Sequence, residues 1–383
     1  PQELLPTVFE AVGDDLLAQV LARLELDDMV EVVEWLPEER HDAVMTLLPP
    51  PKRDALRKAE LYPAETAGRV MNTNFVALHE AMTAEEAIDR VRQAGDDQEA
   101  ILYLYVTNDK EQLRGVVPIR RLVAAPKERT CGAMMVEEPV CVDVGADQEE
   151  VAQLVSRYNL LAIPVVDAER RILGVITVDD VIEVIHEEAT EDMYLLAGLS
   201  EEDRVFSPAH HAVRKRLPWM LLNLAATFLA AWVVGLFERT LEQIVALAFF
   251  MPVVAGMGGN GGIQALTVIT RGIALGEIEF SSGLRAVGKE LAVAAAIGLV
   301  TGLVSGGLAY AWRGNAYLGL VLFVTMMATM MVAGALGAAV PLVLKALKLD
   351  PAVGSGVVVT TLTDIFGFAS FLGFGTLLLE RLA

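Results

Sequence analysis

The chain has 383 residues, of which 54% are hydrophobic, and its mean hydropathy of +0.46 is high for a water-soluble protein. Its formal net charge of −21 argues against a nucleic-acid-binding protein, because binding to phosphates needs a basic surface. Residues 1–207 carry 43 acidic and 19 basic side chains, whereas residues 208–383 carry 8 and 11. The composition therefore predicts an acidic, water-exposed half, which would attract divalent cations, followed by a membrane half.

Residues 1–62 show a repeated pattern of short helices that end at prolines. The units read DDMVEVVEWLP, EERHDAVMTLLPP and PKRDALRKAELYP, with apolar positions at helical spacing in each. Proline ends each unit because it cannot continue a helix. The pattern predicts a small helical N domain whose units stack to bury their apolar faces, and we expect further units of this kind before the first residue.

Residues 63–182 change in character, because β-rich apolar runs alternate there with helical patterns. The order of strand and helix patterns around 66–124 is repeated around 130–187. This repetition predicts two copies of one α/β module. The two cysteines, Cys131 and Cys141, lack the spacing of a metal site, and free thiols fit a reducing cytosol.

The segment 183–207 is predicted to be a helical connection between the modules and the membrane half. Carboxylates recur there every four residues, in the sets Glu183, Glu187, Glu191 and Glu188, Asp192. Like charges at this spacing destabilise a helix by about 0.2–0.5 kcal/mol per pair, and a bound divalent cation would reverse that effect. An ordinary solvated acidic helix is the alternative.

Residues 208–383 contain five apolar runs long enough to cross a bilayer, at 217–237, 243–270, 291–312, 314–344 and 351–379. Eight Lys or Arg residues flank these runs on one side and three on the other. The positive-inside rule then places the acidic half in the cytoplasm and the C-terminus outside. We therefore predict an all-α, multi-pass domain of the plasma membrane.

The last apolar run carries one charged residue, Asp364, accompanied by Thr360, Thr361 and Thr363. A charge near the bilayer centre costs about 2.5–3.5 kcal/mol, so such a residue usually faces a partner, a cavity or a cation. We find no cationic side chain in the other apolar runs and expect an ion as the partner. Mg²⁺ keeps much of its water and needs few protein ligands, which suits a single carboxylate from each of two subunits. A protonated aspartic acid that bonds to another helix is the alternative.

The run GMGGNGGIQ at 256–264 lies within the second span. It lacks a preceding strand and a following βαβ unit, so it is not a dinucleotide-binding loop. Glycine together with Pro252 can open the helix and turn carbonyls toward a cavity, whereas close helix packing by small residues is the alternative. Asn260 and Gln264 are four residues apart and predict a polar face on this helix.

Several motifs together resemble one family. The module ending PVVDAERRILGVITVDD (164–180) resembles the second half of a CBS pair. With YPAETAGRVM, EEATEDMY, PVVAGMGGNGGIQA and TTLTDIFGF, nearly the whole chain resembles the MgtE family of Mg²⁺ channels. The resemblance implies a multidomain homodimer with a helical N domain (1–62), an α/β CBS pair (63–182), a connecting helix (183–207) and a five-span pore domain (208–383).

The resemblance also implies roles for individual residues. Asp364 would hold hydrated Mg²⁺ in the pore, with Asn260 beside it. Cytosolic Mg²⁺ would bind acidic positions of the soluble half and of the loop that faces it, namely Asp28, Asp167, Asp180, Glu183, Glu188, Glu191, Asp192 and Asp350. Some family members bind ATP at the CBS pair. Thr177 and Asp180 fit the corresponding Thr-x-x-Asp ribose pattern, so Asp180 is a candidate for either ligand.

These features predict a homodimeric Mg²⁺ channel that is embedded in membrane lipid and closes when cytosolic Mg²⁺ binds. No pairing of a nucleophile with a base stands out, so we do not expect an enzyme. A carrier of Mn²⁺ or Co²⁺ and a Na⁺-coupled Mg²⁺ exporter are the alternatives within transport. A membrane-anchored sensor of metals or nucleotides that conducts no ions is the alternative from another class.

Overall fold

A computed structural model of the chain describes residues 9, 11–94, 103–199, 209–278 and 282–382. Two units emerge from its internal contacts, residues 1–188 and residues 189–383. The first holds the N domain and the repeated α/β modules. The second holds the end of the connecting helix and the apolar spans. The predicted multidomain architecture, with its helical, α/β and all-α parts, is confirmed.

The N domain consists of short helices whose apolar positions meet in one core. Its helices are α1 (Asp14–Leu21), α2 (Leu26–Glu34), α3 (Glu38–Leu47) and α4 (Pro50–Ala59). Prolines occupy the N-cap positions of α3 and α4, where the fixed φ of proline fits the start of a helix. In α2 the residues Leu26, Met29, Val30 and Val33 are buried, which leaves its acidic residues on the opposite side.

The repeated modules each build a small sheet with the same order of pairings. The first sheet contains β1 (Ala77–His79), β2 (Tyr103–Thr107), β3 (Leu113–Pro118) and β4 (Val136–Glu137), and the second contains β5 (Val142–Asp143), β6 (Ala162–Val166) and β7 (Ile172–Thr177). In each sheet a parallel pair is followed by an antiparallel hairpin. The helices are α5 (Ala67–Val70), α6 (Ala84–Ala94), α7 (Ile119–Ala124), α8 (Cys131–Met134) and α9 (Gln148–Tyr158).

The connecting helix, α10, runs without a break from Val178 to Leu196. It ends in a Schellman motif, in which Leu199 N–H donates to the Tyr194 carbonyl at 2.8 Å and Gly198 N–H donates to the Leu195 carbonyl at 3.0 Å. Gly198 has φ +73°, a left-handed conformation that glycine adopts without steric cost. Residues 200–207 of the predicted connection lie outside the described residues.

Five described helices are long and apolar enough to cross a membrane, as the sequence predicts. They are α11 (Ala209–Gly235), α13 (Ala246–Ala274), α14 (Gly283–Arg313), α15 (Ala316–Ala346) and α16 (Ser355–Leu377), with the short α12 (Glu238–Gln243) and α17 (Leu379–Leu382) at helix ends. Helices α11 and α14 begin eight residues before their predicted apolar runs, because the charged turns ahead of each run are also helical.

Helix α15 is the most buried of the five spans and packs against α13, α14 and α16. Its contact with α14 depends on glycines. Backbone carbonyls approach so closely there that a Cβ added to Gly306 would lie 2.6 Å from the Gly319 carbonyl. Small residues at such positions let membrane helices gain packing and dispersion energy, since burial from water contributes little inside lipid.

Candidate ion-binding sites

Asp364 lies in the middle of α16 and is half-buried. Its neighbouring hydroxyls bond to their own helix, since Thr360 donates to the Gly356 carbonyl at 2.9 Å and Thr361 to the Val357 carbonyl at 2.6 Å. Within the described ranges, no side chain forms a hydrogen bond or ion pair with the Asp364 carboxylate. The carboxylate is therefore available to a ligand.

The Gly-rich run beside Asp364 remains helical, because α13 is continuous from Ala246 to Ala274 despite Pro252. Its glycines serve close packing. A Cβ added to Gly258 would lie 2.7 Å from Thr329 Cγ2, and one added to Gly262 would lie 2.5 Å from Val359 Cγ1. The helix therefore does not open at this run, and the alternative of close packing by small residues describes it.

The polar face predicted on α13 is present on the side away from these glycine contacts. Asn260 and Gln264 both have exposed side chains, one helical turn apart. Exposed amides at membrane depth are costly in lipid, so this face needs water or a second polar surface. The ligand role of Asn260 stays a prediction.

A pair of carboxylates lies at the end of the membrane unit where α10 meets the loop before α16. Burial, followed by the negative charge of Asp350, raises the pKa of Asp192 to about 6. One carboxylate oxygen of Asp350 accepts a hydrogen bond from Ala352 N–H at 2.7 Å, which fixes its position in the turn that leads into α16. The two predicted ligands therefore lie close enough for their charges to interact.

A second carboxyl pair lies between α2 of the N domain and α10, where Asp27 and Asp180 share a side-chain hydrogen bond. Such a bond requires a proton, unless a cation takes its place. Burial, followed by the charge of Asp180, raises the pKa of Asp27 to about 7, and burial also raises the pKa of Asp180. Asp27 Oδ1 is buried without a hydrogen-bond partner among the described residues.

The same two helices bring further carboxylates close to this pair. Burial, followed by the charges of Glu31, Asp28 and Asp180, raises the pKa of Glu183. Asp28 itself is exposed. The predicted residues Asp28, Asp180 and Glu183 therefore share one acidic surface, although Asp27 rather than Asp28 makes the direct carboxyl pair.

The remaining predicted ligands have local partners. Both oxygens of Asp167 accept hydrogen bonds within the β6–β7 turn, including Arg171 Nε at 2.7 Å and Glu169 N–H at 3.0 Å. Glu188 accepts a hydrogen bond from Gln148 Nε2 at 2.6 Å. These contacts give each carboxylate a structural role in addition to any role with a metal.

Thr177 and Asp180, the residues of the predicted ribose pattern, form a local cap at the start of α10. Thr177 Oγ1 donates to Asp180 Oδ2 at 2.6 Å, and Thr177 N–H donates to the same atom at 3.0 Å. The carboxylate therefore interacts with the helix start on one side and Asp27 on the other. The assignment of Asp180 to a cation or to a ribose hydroxyl stays a prediction.

Across the described ranges, no three His, Cys, Asp or Glu side chains form a ready-made metal site. The acids instead meet in pairs, Asp27 with Asp180 and Asp192 with Asp350. Pairs suit Mg²⁺, which keeps several of its waters and needs only one or two carboxylates, better than Ca²⁺, which takes six to eight oxygens. A bound cation would stabilise each pair most in the conformation that holds its two carboxylates together.

Sequence reasoning missed two buried acidic groups, Asp27 and Glu290. Asp27 stands beside Asp28, and only the docking of α2 shows which of the two is buried. Glu290 in α14 is 5% exposed, and its Oε1 accepts a hydrogen bond from Lys289 Nζ at 2.8 Å. The sequence signal for Glu290 was its position one residue before an apolar run.

The fold and these sites define a multi-pass membrane protein with an acidic domain of CBS modules before its spans. Family models match along the chain: the MgtE intracellular N domain at residues 2–65, the CBS domain at 67–128 and 131–187, and the MgtE divalent cation transporter domain at 251–374. The chain belongs to the MgtE family, as its motifs predict.

Several proteins of known name are similar to this chain. The magnesium transporter MgtE of Bacillus subtilis is 33% identical over 381 residues, covering 100% of this chain and 84% of the relative. The magnesium transporter MgtE of Thermus thermophilus is 34% identical over 360 residues, covering 93% and 80%. A crystal structure of the cytosolic domain of the Mg²⁺ channel MgtE in complex with ATP is 32% identical, with TM-score 0.41, covering 46% of this chain and 78% of that one.

Proposed function

We propose that this chain is a Mg²⁺ channel of the plasma membrane that works as a homodimer and closes when cytosolic Mg²⁺ binds its acidic pairs. The observation that carries the proposal is Asp364, a half-buried carboxylate in the middle of a span that no described side chain neutralises. The curated relatives at 33–34% identity are named magnesium transporters, which supports Mg²⁺ as the ion that passes.

In this proposal two subunits place their Asp364 side chains on opposite sides of a shared aqueous passage. Two carboxylates in such a passage attract a divalent cation that keeps much of its hydration, and the polar face with Asn260 lies on the neighbouring α13. Membrane potential drives entry, since two charges moving through 100 mV gain about 4.6 kcal/mol. The soluble domains then lie in the cytoplasm and the C-terminus outside.

Closure follows from the carboxyl pairs. Without a cation, the negative charge of Asp350 disfavours the ionised form of Asp192 in the conformation described here. Asp27 and Asp180 are held together only while they share a proton, and they repel each other once both are ionised. Mg²⁺ between the members of a pair replaces this repulsion with attraction and stabilises the compact arrangement. The ion closes the channel only to the extent that it binds this arrangement more tightly than the open one.

The sensing surface in this proposal includes Asp28, Glu183, Glu188 and Glu191 around the two pairs. Asp167 is its weakest member, because the β6–β7 turn uses both of its oxygens. The domain bounds proposed with it are 1–62, 63–182, 183–207 and 208–383. ATP at Thr177 and Asp180 is a secondary ligand in this scheme, since Asp27 competes for the same carboxylate.

The test is ion flux into liposomes that contain the purified chain, with Mg²⁺, Ca²⁺, Mn²⁺ and Co²⁺ compared. We expect Mg²⁺ to pass and internal Mg²⁺ to stop its passage. Preference for Mn²⁺ or Co²⁺ would identify a carrier of those ions, and a requirement for Na⁺ would identify an exchanger. If no cation passes, the chain is a membrane-anchored sensor and the proposal is wrong.

Neutralising Glu188, Glu191 and Asp192 together tests the sensor separately from the pore. The triple variant should still conduct Mg²⁺, but its inhibition curve should move to higher internal Mg²⁺, by about 5- to 150-fold if it removes a typical coupling energy. An unchanged curve would exclude this part of α10 from sensing while leaving the pore assignment intact.

A further inference from the structure

Trp219, near the start of α11, occupies an unusual position within residues 189–383. Its indole ring lies against Gly198 at the end of α10, and a Cβ added to Gly198 would overlap the ring atoms. Gly198 also has φ +73°. Glycine is therefore required there both by the backbone conformation and by the approach of the ring.

The opposite edge of the same ring meets the start of the helix that carries Asp364. Gly354, with φ +69°, caps α16, and a Cβ added to it would lie 3.3 Å from Trp219 Cη2. The two helices also approach each other directly. A Cβ added to Gly356 would lie 3.0 Å from the Leu196 carbonyl oxygen.

The carboxylate pair Asp192 and Asp350 lies between the same two elements, α10 and the start of α16. Asp192 lies in the last turns of α10, six residues before Gly198, and Asp350 lies in the turn before Gly354. From Gly354 to Asp364 is ten residues of helix, or about 15 Å. Thus one ring and one charge pair link the end of the connecting helix to the base of the pore helix.

We propose that Trp219 is the positioning residue that transmits the state of the Asp192–Asp350 pair to α16. This inference rests on the proposed function and names the part that converts ion binding into closure. A close-packed aromatic ring cannot be compressed, so a shift of Gly198 displaces the ring, and the ring displaces the first turn of α16.

The other tryptophans of the membrane unit lie elsewhere in it, and Trp312 packs against Phe249 and Phe250 of α13. Trp232 and Trp312 are 63% and 68% exposed, and each fits an ordinary place at a membrane surface. Trp312 therefore supplies a matched control. Its replacement removes the same side chain from the same unit without touching α10 or the start of α16.

The first experiment compares Mg²⁺ flux into liposomes for the full chain, Trp219→Ala and Trp312→Ala across a range of internal Mg²⁺. We expect Trp219→Ala to conduct at low Mg²⁺ and to need about tenfold or more Mg²⁺ for half-closure, within the range of typical coupling. Trp312→Ala should close as the unmodified chain does. A Trp219→Ala curve that matches the control would overturn the inference, whereas loss of flux in the unmodified chain would overturn the proposed function instead.

A second experiment tests the contact itself and does not depend on how well one variant folds. Gly198→Ala should shift half-closure in the same direction as Trp219→Ala, because the new methyl group must displace the ring. Gly314, with φ +70° and no neighbour within 4 Å of an added Cβ, is the matched control for backbone strain. In the double variant, Gly198→Ala should add no further shift in half-closure to that of Trp219→Ala. If the two shifts instead add fully, or if both variants only lower flux equally at every Mg²⁺ concentration, the ring is a packing residue and the inference fails.

Discussion

Asp27→Asn isolates the carboxyl pair between α2 and α10, because it keeps the size of the side chain and removes its titration. The pKa of Asp27 is raised by burial from 3.8 to about 7 in the folded chain. The folded state therefore holds a proton more tightly than the unfolded state, and stability falls as pH rises through this window. Between pH 5.5 and pH 8 the linkage amounts to about 2 kcal/mol of lost stability for α2 docking.

Hydrogen exchange of the α2 amides in the whole chain measures this loss of stability as the free energy of local opening, after correction for the intrinsic exchange rate. We expect the unmodified chain to lose about 2 kcal/mol of protection between pH 5.5 and pH 8 in the absence of Mg²⁺. The protection of the α2 amides in Asp27→Asn should change little with pH. Saturating Mg²⁺ should also flatten the slope of the unmodified chain, because the cation then takes the place of the proton.

Asp42→Asn is the control, since Asp42 belongs to the same domain and its side chain is fully exposed. Its slope should equal that of the unmodified chain. The reasoning is refuted if Asp27→Asn and the unmodified chain have equal slopes, or if protection increases with pH. A slope that survives saturating Mg²⁺ would show that protonation matters but that no metal bridges the pair.

Three further changes probe the membrane unit and the modules. Asp364→Asn should abolish Mg²⁺ flux in liposomes while dimer formation, checked by light scattering, is unaffected; normal flux would remove Asp364 from the pore. Gly262→Ala should destabilise the membrane unit by about 1–3 kcal/mol in thermal unfolding, because its methyl would press on Val359, whereas Gly256→Ala, with open space around it, should be neutral. Asp167→Ala should lower the melting temperature of the soluble half through lost turn bonds, with only a small shift in half-closure by Mg²⁺; a shift as large as that of the Glu188, Glu191 and Asp192 triple variant would make Asp167 a main sensing residue.

The architecture was predictable because its signals are local. Apolar runs of bilayer length predict the spans, and repeated strand and helix patterns predict the two modules. For the candidate sites, the sequence could predict which surfaces carry acidic residues but not which side chains pair. Acids on α10 could be recognised from their spacing, and Asp364 from its isolation in an apolar run.

What sequence reasoning missed depends on tertiary packing. Asp27 and Asp28 are adjacent at the start of α2, and which one becomes buried follows from the angle at which that helix docks. The glycines of α13 illustrate the same limit, since glycine serves equally to open a helix and to bring helices together. Only the neighbours Thr329 and Val359 show that packing prevails here.

The glycine seam between α14 and α15 has a mechanical consequence. Where Gly306 and Gly319 touch, the two backbones are locked at contact distance, with no long side chains between them that could change rotamer. A hairpin built in this way behaves as a stiff frame. Motion in the membrane unit should therefore be concentrated in α11 and α16, and sequence drift in the hairpin should be restricted to its lipid-facing flank.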